Sequence, residues 1–233
     1  MDYAIIAAGE GSRLVQEGVK CPKPLVQLNG MTLIDRLINV FLKNNATSIS
    51  IIVNEEMTEV QEHLRKTELP VPFYLLVKST PSSMHSFYEL SHHLDSDNIC
   101  LTTVDTIFRE EEFGGYIQKF LKDSRLDGLM AVTDFIDDEK PLYVDTDKDL
   151  MIRGFLDKQG EPACTYISGG IYCLRRSGLK VLNNAIEQGM SRMRNYQRQL
   201  IAEGLTLRAY PFSKIVDVDH AEDIKKAEEF LKQ

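Results

Sequence analysis

The N-terminal part of the chain carries a glycine-rich turn followed by two spaced basic residues. Gly9 and Gly11 come directly after a short apolar run, and Arg13 and Lys23 follow, the lysine lying between two prolines. Glycine has no Cβ, so such a turn can adopt φ > 0 and lets an anion approach the main-chain N–H groups closely. An arginine adds a planar fork of donors that suits phosphate oxygens. These residue types and their spacing predict a polyphosphate-binding site.

Two short segments make this pattern more specific than the glycines alone. The chain reads AAGEGSRL at 7–14 and PKPL at 22–25. Together the segments resemble the signature of the sugar-1-phosphate nucleotidyltransferases, a family with a Rossmann-like, glycosyltransferase-A-type fold. The turn has neither the third glycine of a dinucleotide fingerprint nor the Gly-Lys-Ser/Thr of a P-loop. A nicotinamide dehydrogenase is therefore disfavoured, because Arg13 and Leu14 stand where the third glycine would open a helix.

The resemblance implies a role for each part of this region. Arg13 and the main-chain amides of the turn would hold the β- and γ-phosphates of a nucleoside triphosphate, and Lys23 would contact the α-phosphate. Arg13 and Lys23 are thus the expected catalytic cations. The residues of the turn that would contact the nucleotide are Ala7, Ala8, Gly9, Glu10, Gly11 and Ser12.

The segment expected to contact the base departs from the family pattern. Many members have Gln-x-x-Pro-x-Gly-Thr-Ala, whereas residues 78–85 read KSTPSSMH, so the proline is present and the glutamine and glycine are not. Pro81 and Ser83 are the nucleotide-binding residues expected here. The identity of the base stays open, with CTP or UTP favoured.

Three aspartates follow apolar runs and are candidate metal ligands. An aspartate in the position of Asp105 can simply cap the next helix, but its segment resembles the family's strand-four element, whose aspartate binds the catalytic Mg²⁺. A second carboxylate is then expected before the last helix, where Asp217 and Asp219 stand. Alternation along a strand puts both on one face, so spacing does not choose between them. Matching to sugar-type members favours Asp217, and matching to choline-type members is also compatible with Asp219. Magnesium takes hard oxygen ligands, usually one or two carboxylates alongside phosphate oxygens.

Two segments of the second half resemble the family's acceptor site. The run YISGGIY, which contains Gly169 and Gly170, resembles the strand that lines the sugar pocket. The run FLDK, which ends at Lys158, resembles the Phe-x-Glu-Lys-Pro element whose lysine grips the acceptor phosphate, although aspartate and glutamine replace the glutamate and proline. The pair Arg192 and Arg194 is interpreted as a solvated helix face.

The reaction that the resemblance implies is nucleotidyl transfer. A nucleoside triphosphate and a sugar 1-phosphate would give a nucleotide sugar and pyrophosphate by Mg²⁺-dependent, in-line attack on the α-phosphate, with no protein nucleophile. The alternative within this class is a CTP:phosphocholine cytidylyltransferase, which the weakened Lys158 element and the SFYEL run at 86–90 favour. A guanylyltransferase acting on the molybdenum cofactor fits less well. A catalytically inactive nucleotide-binding regulator is the alternative from another class, and the retention of Arg13, Lys23 and Asp105 argues against it.

Strands that alternate with helices predict right-handed βαβ units and an α/β fold. We expect a Rossmann-like three-layer sandwich with a mostly parallel mixed sheet. Ligands of such sheets bind outside the carboxyl ends of the strands, where the glycine turn and Asp105 both lie. We expect one domain over 1–233, with a nucleotide-binding half at about 1–125 and an acceptor-binding half at about 126–233. The predicted strands of the first half are 3–8, 48–53, 73–77 and 99–104, and 9–23 is predicted as a loop.

Composition limits the class of protein. With 233 residues and 43% apolar content the chain can bury a sizeable core, and its net charge of −8 argues against a nucleic-acid or acidic-membrane partner. Four scattered cysteines show no zinc-like spacing, and Cys100 and Cys173 are expected to be buried thiols. No leader or membrane-spanning run is recognised, so a cytoplasmic protein is expected. The expected partners are a nucleoside triphosphate and a small phosphorylated acceptor, and the oligomeric state is open.

Overall fold

A mixed central sheet organises the part of the chain that the structure describes, residues 1–137 and 140–232 of this computed structural model. The strands in chain order are β1 Asp2–Ile6, β2 Gln27–Leu28, β3 Met31–Thr32, β4 Ser48–Val53, β5 Phe73–Val77, β6 Asn98–Thr103, β7 Thr106–Ile107, β8 Gly128–Thr133, β9 Tyr143–Thr146, β10 Ile152–Leu156, β11 Tyr166–Arg175, β12 Leu207–Pro211 and β13 Val216–Asp217. The α-helices are α1 Ser12–Gln16, α2 Leu33–Lys43, α3 Thr58–Arg65, α4 Ser83–Ser91, α5 Glu110–Lys122, α6 Arg176–Glu187, α7 Met193–Ala202 and α8 Ala221–Phe230.

The first half of the chain forms a parallel part of this sheet, in the order β6-β1-β4-β5. The second half extends it, because β11 runs antiparallel to β6, β8 and β9, β10 pairs with β9, and β12 runs parallel to β8. Residues of α2, α3, α5 and α8 belong to the buried cluster on one face, and those of α4, α6 and α7 to the cluster on the other. The predicted three-layer α/β sandwich with a mixed sheet is therefore confirmed.

The sequence explains the local choice of these elements. The strands β1 and β4 are buried along their whole length, and β6 is nearly so, as expected for apolar runs covered by helices on both faces. Helix α2 begins after Thr32, whose Oγ1 accepts a hydrogen bond of 3.1 Å from the Asp35 N–H and so caps the helix. The thiols of Cys100 and Cys173 are buried opposite each other in β6 and β11, also as predicted.

Several boundaries differ from those predicted. The first strand ends at Ile6, so Ala7 and Ala8 already belong to the turn. The region predicted as a loop contains the five-residue helix α1 and a short 3₁₀ turn at Lys23–Leu25. The two-residue strand β7 was not predicted. It pairs, across more than a hundred residues of sequence, with β13, which ends at Asp217 and so does not reach Asp219 as the predicted strand did.

An irregularity in β11 lies at the paired glycines. The register of β11 against β8 shifts between Ser168 and Tyr172, so the ladder is interrupted at Gly169 and Gly170. The buried Tyr116 of α5 bridges the two strands beyond the bulge. Its hydroxyl donates to the Leu129 carbonyl over 2.6 Å and accepts from the Cys173 N–H over 2.8 Å. The bulge is thus supported by a side chain from the covering helix.

The two predicted halves share this sheet, because β6 of the first half pairs directly with β11 of the second. The carboxyl ends of β1 and β6 lie at the same edge, and Asp105 follows there. None of the helices in the described part of the chain has the length and apolar content needed to span a membrane.

Candidate active site

A cleft of about 540 Å³ opens at the carboxyl edge of β1 and β6. Four distant parts of the sequence line it: the glycine turn with Lys23, the start of α4, the segment that ends at Asp105, and Asp219. Of the residues expected to contact nucleotide, those that line the cleft are Ala8, Gly9, Glu10, Gly11, Ser12, Arg13 and Ser83. Ala7 is buried at the start of the turn, and Pro81 is not among the lining residues.

The two glycines of the turn have different conformations. Gly11 has φ 61° and precedes α1, and a Cβ at this position would lie 3.0 Å from Cβ of Lys23. Gly9 has no positive φ, and a Cβ there would meet no heavy atom within 4 Å. The positive φ that a glycine turn can adopt is therefore found at Gly11 and not at Gly9. Gly9 instead leaves the adjacent cleft surface open.

Lys23 lies between two carboxylates. Its ammonium group contacts Asp105 and donates a hydrogen bond of 2.6 Å to Oδ1 of Asp219, and its side chain is only 8% exposed. Burial alone would lower the pKa of Lys23, but the charge of Asp105 and the hydrogen bonds to both carboxylates outweigh it and hold the pKa above its usual range. Lys23 is therefore a fixed cation at the bottom of the cleft.

Asp219 joins the glycine turn to the last helix. Its Oδ2 accepts a hydrogen bond of 3.1 Å from Arg13, and its own N–H donates to Asp223 of α8. Burial would raise the pKa of Asp219, but the hydrogen bond from Lys23 and the charges of Lys23 and Arg13 hold it below the usual range. The neighbouring Glu17 accepts a 2.6 Å hydrogen bond from the first N–H of α8, so α1 and α8 are tied together beside Asp219.

Asp217 has a different position from Asp219. It belongs to β13, where it pairs with Thr106, and it lines an adjoining cleft of about 360 Å³. The Lys23 cation thus has Asp105 and Asp219 as neighbours, while Asp217 lies on the side of the second cleft.

The carboxylates around Lys23 are suited to a divalent cation. Within residues 1–137 and 140–232, no group of three or more His, Cys, Asp or Glu residues is arranged to hold a metal ion by itself. Asp105 and Asp219 nevertheless both contact one ammonium group, so one cation can be shared by the two side chains. Two carboxylates that leave the remaining ligands to phosphate oxygens and water are a common arrangement for Mg²⁺. The donor set therefore fits this ion.

The second cleft is continuous with the first, since Asp105 and Ser83 line both. Gly170 lines it with φ 74°, and a Cβ there would lie 3.2 Å from Oγ1 of Thr106. Gly169 points elsewhere, because a Cβ at this position would lie 2.2 Å from Cδ1 of Ile215, and it lines a separate cleft of about 640 Å³. Only one of the paired glycines therefore faces the second cleft.

The basic residues around the second cleft are not those expected. Lys158 is exposed in the turn after β10 and is absent from the linings of the clefts described above. Arg192 and Arg194, interpreted as a solvated helix face, line the second cleft, where Arg192 is exposed and Arg194 is half-buried. Their place at the start of a predicted helix could have indicated an anion-binding site, because the N-terminal end of a helix favours anions.

The start of α4 connects the two clefts. The hydroxyl of Thr80 is hydrogen-bonded to that of Ser86 over 2.6 Å, and that of Ser82 to Nδ1 of His85 over 2.9 Å. Ser82 also accepts the N–H of Arg192 over 3.3 Å. The segment expected to contact the base is therefore linked to the start of α7.

Similarity to known proteins extends over nearly the whole chain. Residues 3–233 match the family model described as nucleotidyl transferase. The chain is 26% identical over 225 residues to the bifunctional protein GlmU of Thermodesulfovibrio yellowstonii, covering 92% of this chain but 48% of that relative. It thus spans about half the length of this relative.

Solved structures share the fold. The inositol-1-phosphate CTP transferase from T. maritima superposes with a TM-score of 0.80 at 15% identity, over 99% of this chain and 97% of that one. The CTP:phosphocholine cytidylyltransferase LicC from Streptococcus pneumoniae gives 0.75 at 18% identity, over 98% of each chain. Since the family model covers nearly all of the sequence, the chain belongs to the nucleotidyl transferase family.

Proposed function

We propose that the chain transfers a nucleotidyl group from a nucleoside triphosphate to a phosphorylated acceptor, with a sugar 1-phosphate as acceptor. The observation that carries the proposal is the convergence of Arg13, Lys23, Asp105 and Asp219 on one cleft that continues into a second. Two connected clefts, one lined by a glycine turn and the other by arginines, suit two phosphate-bearing substrates that must meet. The family to which the chain belongs supports the same reaction.

The reaction balances without a protein nucleophile. An oxygen of the acceptor phosphate attacks the α-phosphorus, a new P–O bond forms, and the bond from the α-phosphorus to the oxygen bridging to the β-phosphate breaks. Pyrophosphate leaves with the electron pair. Catalysis then consists of positioning two polyanions and stabilising the charge that develops on the leaving group.

Each cation of the first cleft has a place in this scheme. Lys23, buried and charged, would meet the α-phosphate, and the more exposed Arg13 would meet the β- and γ-phosphates together with the amides of the glycine turn. When bound, Mg²⁺ would be held by Asp105 and Asp219 and would neutralise phosphate charge between them. Asp217 is the alternative second carboxylate, because it lines the adjoining cleft.

The proposal also names the nucleotide and the acceptor. The two superposed proteins are a CTP transferase and a CTP:phosphocholine cytidylyltransferase, and we propose CTP or UTP for this chain. Phosphocholine is the second candidate acceptor, because LicC shares the fold. A single domain over 1–233 and a cytoplasmic location are proposed as well.

A pyrophosphate-release assay tests the function. We would cross the four nucleoside triphosphates with several sugar 1-phosphates, inositol 1-phosphate and phosphocholine, in the presence of Mg²⁺. Release that depends on one pair of substrates supports the proposal. Nucleotide binding without release under any combination would instead support the inactive regulator.

A further inference from the structure

A pair of threonine hydroxyls lies where the two clefts meet. Oγ1 of Thr103, the last residue of β6, lies 2.7 Å from Oγ1 of Thr106 in β7, so one hydroxyl donates a hydrogen bond to the other. Thr103 is half-buried and lines both clefts, whereas Thr106 is fully buried. We propose that the Thr103 hydroxyl donates a hydrogen bond to a phosphate oxygen of a bound substrate and that Thr106 orients it. This inference rests on the proposed function and adds a substrate-binding residue to its site.

The hydrogen atoms of the pair decide the direction of the bond. Two hydroxyls carry two hydrogens, and the single contact between them uses only one. Thr106 has no exposed surface, and within residues 1–137 and 140–232 the structure gives its hydroxyl no hydrogen-bond partner other than Thr103. If Thr103 were the donor, the hydrogen of Thr106 would be buried without an acceptor, which is unfavourable. Thr106 is therefore the donor, and the hydrogen of Thr103 is left for another acceptor.

The remaining hydrogen of Thr103 can serve a ligand in either cleft. In the described part of the chain its Oγ1 has no second hydrogen-bond partner, and the half-buried side chain faces both clefts together with Asp105. A hydroxyl that accepts one hydrogen bond is polarised and donates a stronger one. Bonds to ionised oxygens are about twice as strong as those between neutral groups. The Thr103 hydroxyl is therefore suited to an anionic oxygen at the junction of the clefts.

Gly170 of β11 leaves this hydroxyl pair uncovered. A Cβ at this position would lie 3.2 Å from Oγ1 of Thr106 and 3.6 Å from Oγ1 of Thr103, and the φ of 74° is one that residues with a side chain rarely adopt. The ladder of β11 against β8 is interrupted here, so the bulge places a residue without a side chain beside the pair. A group that enters the second cleft can thus approach the Thr103 hydroxyl closely.

The place of Thr103 suits the phosphates that react. Asp105 also lines both clefts, and Lys23 contacts Asp105 from the first cleft. In the proposed function, the α-phosphate of the nucleotide and the phosphate of the acceptor meet at this junction. Both present the same chemistry, an ionised oxygen on phosphorus. Binding measurements with each substrate separately therefore identify the phosphate that Thr103 contacts.

The test removes one hydroxyl group at nearly constant side-chain shape. Thr103→Val loses the proposed donor, and Thr103→Ser keeps it. We would measure the Kd of CTP, UTP, glucose 1-phosphate and phosphocholine by calorimetry with Mg²⁺ present, and KM values by pyrophosphate release. Because a hydrogen bond to a charged group corresponds to about 10-fold or more in affinity, Thr103→Val should raise the Kd and KM of the nucleotide or of the acceptor by about 10-fold. Thr103→Ser should remain within about twofold of wild type.

Thr106 and Thr102 provide the matched comparisons. Thr106→Val removes the hydrogen bond that orients Thr103, so the same Kd should rise by a smaller factor of about two to five, and Thr106→Ser should restore it. Thr102 precedes Thr103 in β6, its buried hydroxyl donates to the Thr103 carbonyl over 3.2 Å, and it lines neither cleft. Thr102→Val therefore makes the same chemical change beside the site and should leave every Kd unchanged. Thermal unfolding shows which variants are folded, and the two Thr103 variants decide the inference if Thr106→Val does not fold.

Several results would overturn the inference. These are a Thr103→Val protein with every Kd within about twofold of wild type, a Thr103→Ser protein that binds as weakly as Thr103→Val, or an equal loss in Thr102→Val. Unchanged affinity in a folded Thr106→Val protein would overturn the orienting role of Thr106. A wild type that binds its substrates but releases no pyrophosphate with any pair would overturn the proposed function alone, because the Kd values still decide the role of Thr103. A wild type that binds none of them would overturn both.

Discussion

At the scale of single residues, the site depends on Lys23 as the cation between Asp105 and Asp219. Replacing it with alanine removes the positive charge that would meet the α-phosphate. We expect Lys23→Ala to lower turnover by at least about 100-fold, the effect of losing a preorganised donor to developing charge. The exposed Lys20 of the same turn is the matched control, and Lys20→Ala should remain within a few-fold of wild type. Near-wild-type pyrophosphate release by Lys23→Ala would remove this residue from the mechanism.

The same variant tests the metal site without an activity measurement. In Lys23→Ala the carboxylates of Asp105 and Asp219 lose the ammonium that both contact, so each favours another cation more strongly. We expect millimolar Mg²⁺ to raise the Tm of Lys23→Ala more than that of wild type. The double variant Lys23→Ala/Asp105→Asn should lose this extra response. An Mg²⁺ response that is identical in all three proteins would argue against a metal site at these aspartates.

The two glycines of the turn should respond differently to the same change. Gly11→Ala places a side chain at φ 61° and 3.0 Å from Cβ of Lys23, so we expect a loss of about 1–2 kcal/mol in the free energy of unfolding as well as weaker nucleotide binding. Gly9→Ala meets open space and should leave stability unchanged. Its methyl group would nevertheless stand where a phosphate approaches the amides, so nucleotide affinity should fall. Thermal unfolding and CTP titrations of both variants separate the two effects, and unchanged CTP affinity in Gly9→Ala would contradict close approach there.

At the scale of elements, the bulge in β11 relies on a side chain from α5. The Tyr116 hydroxyl bridges the Leu129 carbonyl and the Cys173 N–H in the buried core. Tyr116→Phe leaves both backbone groups without this partner, and we expect it to lower the free energy of unfolding by about 1–3 kcal/mol. Tyr88 is half-buried and its hydroxyl has no hydrogen bond among the described residues, so Tyr88→Phe should change stability less. Urea unfolding of the two variants makes the comparison, and equal effects would contradict the bridging role.

Elements with strong local signals were predictable, and those held by distant partners were not. The continuous apolar runs of β4 and β5 were predicted with their observed bounds. The strands β7 and β13 carry two residues each and exist because Ile107 and Val216 pair across the fold. Helix α1 is too short for a periodic apolar pattern to be visible in it.

The residues of the site divide in the same way, into those that a local motif carries and those that are placed by contacts with distant elements. Lys23 and Asp105 could be identified because local motifs carry them, and the fold brings them together. The place of Arg194 depends on Asp157 of a different element, which no spacing along the chain indicates. Lys158 matches a family motif, but the turn after β10 leaves it exposed. Sequence resemblance therefore predicted the lining of the first cleft better than that of the second.

At the scale of the whole molecule, the shared sheet explains why the clefts meet at Asp105. The parallel part built around β1 brings the glycine turn to the carboxyl end of β6, and β11 lies antiparallel on the other side of β6. Asp105 follows β6 at this boundary and lines both clefts. The opposite edge of the same strands must hold β1, β4 and β6 in register, and there the buried Asp2 carboxylate accepts hydrogen bonds from Oγ1 of Thr47 over 2.6 Å and from the Ser96 N–H over 2.8 Å.

Because of the Asp2 carboxylate at this edge, we expect the free energy of unfolding to depend on pH in the acid range. Burial would raise the pKa of Asp2, but the hydrogen bonds from Thr47 and Ser96 outweigh it and hold the pKa below its usual range. Because the folded-state pKa lies below the unfolded one, the stabilisation is present above the unfolded pKa of about 4 and is lost as pH falls through the folded value. Asp2→Asn should lower the free energy of unfolding at pH 7 by about 1–3 kcal/mol, and its difference from wild type should shrink below about pH 4. Asp149→Asn, at an exposed carboxylate, should leave the pH profile unchanged. A difference between Asp2→Asn and wild type that stays constant in urea unfolding from pH 7 to pH 3.5 would show that the ionised carboxylate does not hold these strands together.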